Sequence, residues 1–210
     1  VASGLYLYIF ADTGVHDAYE SVEAITHDQW WAGGILRSVH RYASDAFALT
    51  MLLHMARHFA FDPSGKYAYV INEMGNTVTA FAYDAEHGVL KNLQSIATLP
   101  KGYKGTSHTA EVVVHPSGKF LYGSNRGHDS IAIWSAGESG AVTALGHEPT
   151  RGRTPRGFAL DPTGTWLLVA NQESDSLVTF RRDPETGLLT ASGSVVATPS
   201  PVAVLFCAGS

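Results

Sequence analysis

Cysteine is nearly missing from this chain: its 210 residues hold one, Cys207. That excludes an internal disulfide and a thiolate cluster of the zinc type. Charge is sparse too, at 16% of residues against the ~25% usual for globular domains, and the first lysine is Lys66. The net charge is −5, with no basic run and no interleaving of basic and aromatic residues, so nucleic acid is not an expected partner. The start carries no basic region ahead of an apolar stretch. No secretory signal peptide is therefore expected, Val1 reads as the start of a fragment or of a processed chain, and the cytoplasm is the expected location. Ten histidines invite a metal reading, but His87, His108, His115, His128 and His147 are dispersed through turns and strand starts with no compact ligand pair. No metal site is expected from them. Gly127 and Gly152 flank arginines without forming a phosphate loop, and Ser107-His108 and Ser124 make no defensible Ser-His-Asp arrangement.

What the chain does hold is one unit written three times. Phe61-Asp62-Pro63-Ser64-Gly65-Lys66 recurs as Val114-His115-Pro116-Ser117-Gly118-Lys119 and as Leu160-Asp161-Pro162-Thr163-Gly164-Thr165. Nine residues after each proline stands an asparagine: Asn72, Asn125 and Asn171. In the first copy, residues 66–71 are apolar and aromatic and read as a buried strand. The Pro-Ser-Gly before them supplies a tight turn, with proline fixing φ and glycine accepting a positive one. Residues 77–83 alternate with period two and 89–98 follow after a turn, so each copy reads as a four-stranded antiparallel unit. Repeats of about 40–50 residues built this way are the mark of β-propeller blades. The expected fold is all-β with an N-terminal helical segment: about three blades of an incomplete propeller over 59–210. The blades are expected at about 57–99, 110–150 and 156–198, with a closing strand at 201–206. Open blade edges and uncovered inter-blade faces favour self-association.

The copies differ in an informative way. After the shared asparagine stand Glu73, Arg126 and Gln172; six residues before the proline stand Arg57 and Arg156, where the middle copy has Ala110 beside Glu111. Such residues either are solvated strand ends or converge on one region of a propeller, such as its channel. If they converge, Arg57, Arg126 and Arg156 would clamp a carboxylate or phosphate, since guanidinium forks match those groups bidentately. Glu73 among arginines suits a charge partner or a water-orienting group better than a general acid, because nearby cations favour its ionised form.

Four stretches carry a family resemblance: Arg57-His58-Phe59-Ala60-Phe61-Asp62-Pro63, Val70-Ile71-Asn72-Glu73, Ser124-Asn125-Arg126 and Thr154-Pro155-Arg156-Gly157-Phe158. From about Arg57 to Phe206 the chain resembles the lactonase family of seven-bladed propellers, which includes one type of 6-phosphogluconolactonase and the carboxymuconate-lactonising enzymes. The resemblance implies a carboxylic ester hydrolase that opens a small anionic lactone without a cofactor. It places Arg57, Glu73 and Arg126 at three catalytic positions, and Arg156 and Gln172, from their places in the repeat, are the expected substrate-binding residues. A fourth position, a histidine about one blade upstream of Arg57, has no counterpart, so impaired activity is expected.

Residues 1–58 read differently. No repeat copy occurs there, and residues 33–58 read as a helix, with Ile35, Val39, Ala43, Ala46, Leu49 and Leu53 at three-to-four spacing. His40 and His54 would share a face of it, roughly 21 Å apart. With Trp30-Trp31 and Gly33-Gly34, residues 3–59 resemble the N-terminal region of membrane cytochrome b. That resemblance implies haem b, with His40 and His54 as axial ligands, and a membrane electron-transfer role as the alternative function. Each haem would need a second histidine from a later helix, which this chain does not supply. The candidate span also carries Arg37, Arg41 and Asp45, and its uncharged part, residues 46–56, is short of the ~20 residues needed to span a bilayer. The two patterns meet near residues 57–62, as in a chimeric reading frame, and a non-catalytic propeller remnant or scaffold is a third reading.

Overall fold

The computed structural model describes residues 58–207. The helix expected over 33–58, with His40 and His54, and the arginine at position 57 lie outside the described residues. The chain divides between His54 and Met55 into two units, and every described residue belongs to the second.

Twelve strands form three four-stranded antiparallel sheets, each meandering in chain order. The first blade holds β1 (Phe59–Phe61), β2 (Tyr67–Asn72), β3 (Thr77–Asp84) and β4 (Val89–Ala97). The second holds β5 (His108–Val114), β6 (Phe120–Arg126), β7 (Ser130–Ala136) and β8 (Val142–Pro149); the third holds β9 (Pro155–Leu160), β10 (Trp166–Asn171), β11 (Ser176–Arg182) and β12 (Leu189–Ala197). The only helical element among the described residues is a single 3-10 turn, Gln172–Ser174. The three expected blades are therefore present. Residues 201–206 are not a strand but irregular chain. Extended backbone becomes a strand only where a neighbour pairs with it, and no described strand does. The segment instead crosses Gly157, where an added Cβ would come within 2.7 Å of the Val202 carbonyl oxygen.

The repeated turn works as its residues imply. Gly65, Gly118 and Gly164 all have φ near +70° (70°, 73° and 68°), a region that glycine enters without steric cost. Asp62 Oδ1 accepts the Tyr67 N–H at 2.7 Å, and Asp161 Oδ1 accepts that of Trp166 at 2.8 Å. The middle copy has His115 instead, whose Nδ1 accepts the Ser117 N–H at 3.0 Å while Nε2 lies 3.2 Å from the Gly164 carbonyl oxygen of the next blade. That pattern assigns the neutral tautomer protonated at Nε2.

Two of the shared asparagines join blades, whereas Asn72 Nδ2 donates to Thr77 and Thr79 Oγ1 within its own. Asn125 Nδ2 donates to the Thr98 carbonyl at 2.9 Å, and Asn171 Nδ2 to the Thr150 carbonyl at 3.1 Å. Each acceptor stands just beyond the last strand of the preceding blade. Thr98, Thr150 and Thr198 form a further repeat position. Their N–H groups donate to the carbonyls of Asn76, Asp129 and Asp175, which all have positive φ of about 50° (48°, 53°, 48°), a conformation that asparagine and aspartate tolerate.

Packing follows the period-two alternation of β6 and β7. Leu121, Ala132 and Trp134 turn towards Tyr69, Ile71 and Val78 of the first blade. Phe120, Tyr122, Ile131 and Ile133 turn towards Phe158, Leu167, Val169 and Phe180 of the third. The second blade's middle strands are therefore buried on both faces, whereas the last strands of the first and third blades are mostly exposed and that of the second is half exposed. First strands sit together: β1 contacts β5, and β5 contacts β9. A second device recurs at the blade margins. The Tyr67 ring lies over Gly140 and the Phe120 ring over Gly187, both in the turn between the third and fourth strands of the following blade, so that an added Cβ would overlap the ring in each case.

Two outcomes are expected in chemical denaturation. Asn171→Ala, which strands the buried Thr150 carbonyl, should lose about 1–3 kcal/mol of stability. His115 has its pKa lowered, first by burial and then by the Arg182 cation. The unfolded chain thus binds the extra proton first, and the stability contributed by neutral His115 is present above about pH 6.5 and lost as pH falls below it. The urea midpoint should drop between pH 7 and 5, by less in His115→Gln.

Candidate functional site

The residue after each shared asparagine sits where the second strand of a blade ends and the first strand of the same blade begins. In β5 and β6, His108 pairs with Arg126 and Thr109 with Asn125; in β9 and β10, Pro155 pairs with Asn171. Glu73, Arg126 and Gln172 thus stand at the same end of their three blades, on the side of the adjoining first strands. Convergence, not dispersal over solvated strand ends, is what the geometry shows for the first two. Arg126 Nη2 forms an ion pair with Glu73 Oε1 across the boundary between the first and second blades, and also donates to the Thr109 carbonyl at 3.1 Å. The Thr109 N–H donates to the Glu73 carbonyl at 3.2 Å, so backbone and side chains tie the same two blades.

The arginine is the better sheltered partner, with 18% of its side chain exposed against 37% for Glu73. Arg126 Nε is buried and has no hydrogen-bond partner among the described residues, and the same holds for His108 Nδ1 and Thr109 Oγ1 beside it. Unpaired buried donors are costly, and all three atoms are closed off from solvent.

Arg156 and Gln172 also meet: Arg156 Nη1 lies 3.3 Å from Gln172 Oε1, within the third blade. Gln172 is held by its own N–H, which donates to the Thr154 carbonyl at 2.9 Å. In the middle blade, the place of the repeated arginine is taken by Ala110, which is buried. The pairing of β5 with β6 slips between Thr109 and Val112, and a slip of this kind re-aims side chains. Glu111 there accepts the Phe158 N–H at 2.8 Å, linking the second blade to the third. Neither Glu111 nor His108 was marked by the repeat as a site residue. Pairing opposite Arg126 is what brings His108 in, and the strand slip is what aims Glu111.

The histidines are less scattered than their sequence spacing implies. The His128 and His147 rings stand 5.7 Å apart, and Tyr103 lies edge-on to His128 at 4.8 Å. His147 Nε2 is 2.8 Å from the Thr98 carbonyl oxygen, and His128 Nδ1 2.6 Å from Ser130 Oγ. Burial, followed by the neighbouring His147, lowers the pKa of His128. No group of three or more metal-type ligands occurs among the described residues, nor a helix long and apolar enough to cross a membrane.

Repeated four-stranded blades with first strands side by side, and unlike polar residues gathered at one end of them, define a β-propeller module. The family model for lactonases, described as a 7-bladed beta-propeller, matches residues 54–206, and the chain belongs to that family. It is 40% identical over 151 residues to a 6-phosphogluconolactonase of Bacillus subtilis, covering 71% of this chain and 43% of that protein. To a 6-phosphogluconolactonase of Formosa agariphila it is 49% identical over 136 residues, covering 63% and 38%. Among solved structures it is similar to a periplasmic gluconolactonase of Pseudomonas aeruginosa, with a TM-score of 0.65, 33% identity, and coverage of 69% of this chain and 40% of that one. The chain spans about two fifths of the length of the curated relatives it matches. Nothing in these comparisons supports the cytochrome b resemblance of residues 3–59.

The Glu73–Arg126 contact can be measured directly. A double-mutant cycle with Glu73→Gln and Arg126→Met should return a coupling energy of about 1 kcal/mol, at the upper end for exposed pairs because the guanidinium is partly sheltered.

Proposed function

We propose that this chain carries part of the active surface of a lactone hydrolase acting on a small anionic sugar lactone of the 6-phosphogluconolactone kind. The observation that carries this reading is the Glu73–Arg126 ion pair across a blade boundary, at the same end of the blades as the Arg156–Gln172 pair. The named activities of two relatives point the same way.

In lactone hydrolysis, water attacks the ring carbonyl carbon, and the C=O π electrons move onto oxygen to give a tetrahedral oxyanion. Collapse of the oxyanion breaks the ring C–O bond, and the departing alkoxide takes a proton. Arg126 and Arg57 would stabilise the charge that develops on oxygen, a role for which guanidinium donors are suited. Glu73, already aligned by Arg126, would orient the attacking water. Arg156, with Gln172 beside it, would hold the substrate's anionic group. The reaction needs no electron carrier or metal for its balance.

The test is 6-phosphogluconolactone hydrolysis by the full chain against the buffer rate. Wild type should exceed the spontaneous rate, Glu73→Ala should lower kcat by about 100-fold or more, and Arg156→Ala should raise KM about tenfold. A wild-type rate equal to that of buffer rejects the reading.

A further inference from the structure

The second and third blades meet on an arginine for which the first and second blades have no counterpart. Arg182 ends β11, and its N–H donates to the Thr165 carbonyl at 2.9 Å. At the same place in the second blade, the Ala136 N–H donates to the Lys119 carbonyl at 2.8 Å. From its place Arg182 reaches back towards the second blade. Its Nε donates to the Gly164 carbonyl at 2.7 Å and its Nη1 to the Asp183 carbonyl at 3.0 Å. Its guanidinium carbon stands 5.8 Å from the centre of the Phe120 ring. His115 Nε2 reaches the same Gly164 oxygen, so two donors serve that carbonyl. The Tyr122 hydroxyl donates to the Gly187 carbonyl at 2.8 Å.

The boundary between the first and second blades repeats the acceptors without the donors. Gly118, with φ of 73° against 68° for Gly164, offers the corresponding carbonyl. Asp62 stands there in place of His115, and Ala136 in place of Arg182; neither a carboxylate nor a methyl group can donate. Tyr67 takes the place of Phe120 and Tyr69 that of Tyr122. The Tyr69 hydroxyl has no counterpart of the Tyr122 bond among the described residues. Burial, and then the Asp62 carboxylate, push the Tyr69 phenol up to about 12, so it stays a neutral hydroxyl.

Asp62, Tyr67, Tyr69, Gly118 and Ala136 line a groove of about 310 Å³. Its other charged lining residues are Lys66, Lys119 and Glu138, all exposed. The groove lies at the start of β2 and β6. Glu73 follows the end of β2 and Arg126 closes β6, so the polar end of the blades is the opposite one.

We infer that this groove binds a zwitterion that carries a guanidinium group and has the size of a single amino acid. The guanidinium takes the place that Arg182 fills one boundary further on. Its N–H groups donate to the Asp62 carboxylate and the Gly118 carbonyl, and its face lies against the Tyr67 ring. Asp62 already accepts N–H groups of its own turn, but two carboxylate oxygens offer about four lone-pair sites. A bare cation would meet Lys66 and Lys119 with no offset. A carboxylate in the same molecule pairs with those two ammonium groups, so each sign of charge in the groove finds its opposite.

Amide chemical shifts of the full chain, titrated with free arginine, test this. The Gly118 and Ala136 signals should move saturably, with a dissociation constant on the order of 1 mM for a ligand of about twelve heavy atoms. Citrulline keeps the zwitterion but has a neutral urea for the guanidinium, and agmatine keeps the guanidinium but has no carboxylate. Each should bind at least about tenfold more weakly. Ala136→Arg gives the groove the side chain that fills its neighbour, and Asp62→His gives it the donor that His115 supplies. Both variants should stay folded by circular dichroism and lose at least about tenfold in arginine affinity. Citrulline or agmatine binding as tightly as arginine overturns the inference, and so does arginine affinity unaltered in both variants. Signals that ignore arginine but saturate with inorganic phosphate would assign the groove to an anion held by the lysines, and signals that ignore both would assign it no ligand; either result overturns it too.

Discussion

A thin antiparallel sheet with apolar side chains on both faces must be covered on both faces, and the second blade meets that demand most fully. Leu121 and Trp134 face one neighbour while Phe120, Tyr122 and Ile133 face the other. At roughly 1.5–3 kcal/mol for each large side chain taken out of water, these two interfaces outweigh any polar contact in the array. They also set the stagger of the blades. The interblade hydrogen bonds of Asn125 and Asn171, the aromatic-on-glycine contacts and the meeting of Glu73 with Arg126 all follow from that stagger.

The polar end of the array uses the rigidity so obtained. Glu73 and Arg126 stand at strand ends whose backbones are hydrogen-bonded across the blade boundary. Neither group therefore depends on a mobile loop for its position. Glu111 shows the same economy. Where the middle copy gives up the repeated arginine, a slip in strand pairing aims a carboxylate at the next blade's backbone and braces the two blades.

Much of this was legible from the residues. Pro63-Ser64-Gly65 and its two copies located the turns, and alternation in residues 77–83 located a strand, because turn geometry and side-chain direction depend on a few neighbouring residues. Glu73, Arg126, Arg156 and Gln172 were singled out by differing where the repeat is otherwise constant. The approach of His128 to His147 was not legible, because nineteen residues of strand and turn separate them and only the pairing of β7 with β8 closes the gap. The closing strand expected at 201–206 was misjudged for a related reason: its composition suits a strand, but a strand needs a partner.

Local chemistry alone therefore indicated the strands and turns of the three blades and the repeat positions at which unlike polar groups stand. These depend on period-two alternation and on proline and glycine at fixed offsets, which act over a handful of residues. Tertiary packing decided who meets whom. Glu73 and Arg126 are 53 residues apart, and a carboxylate finds a guanidinium at that separation only after two sheets have stacked with one particular stagger. That stagger is a property of the apolar surface between the sheets, which neither charged residue touches.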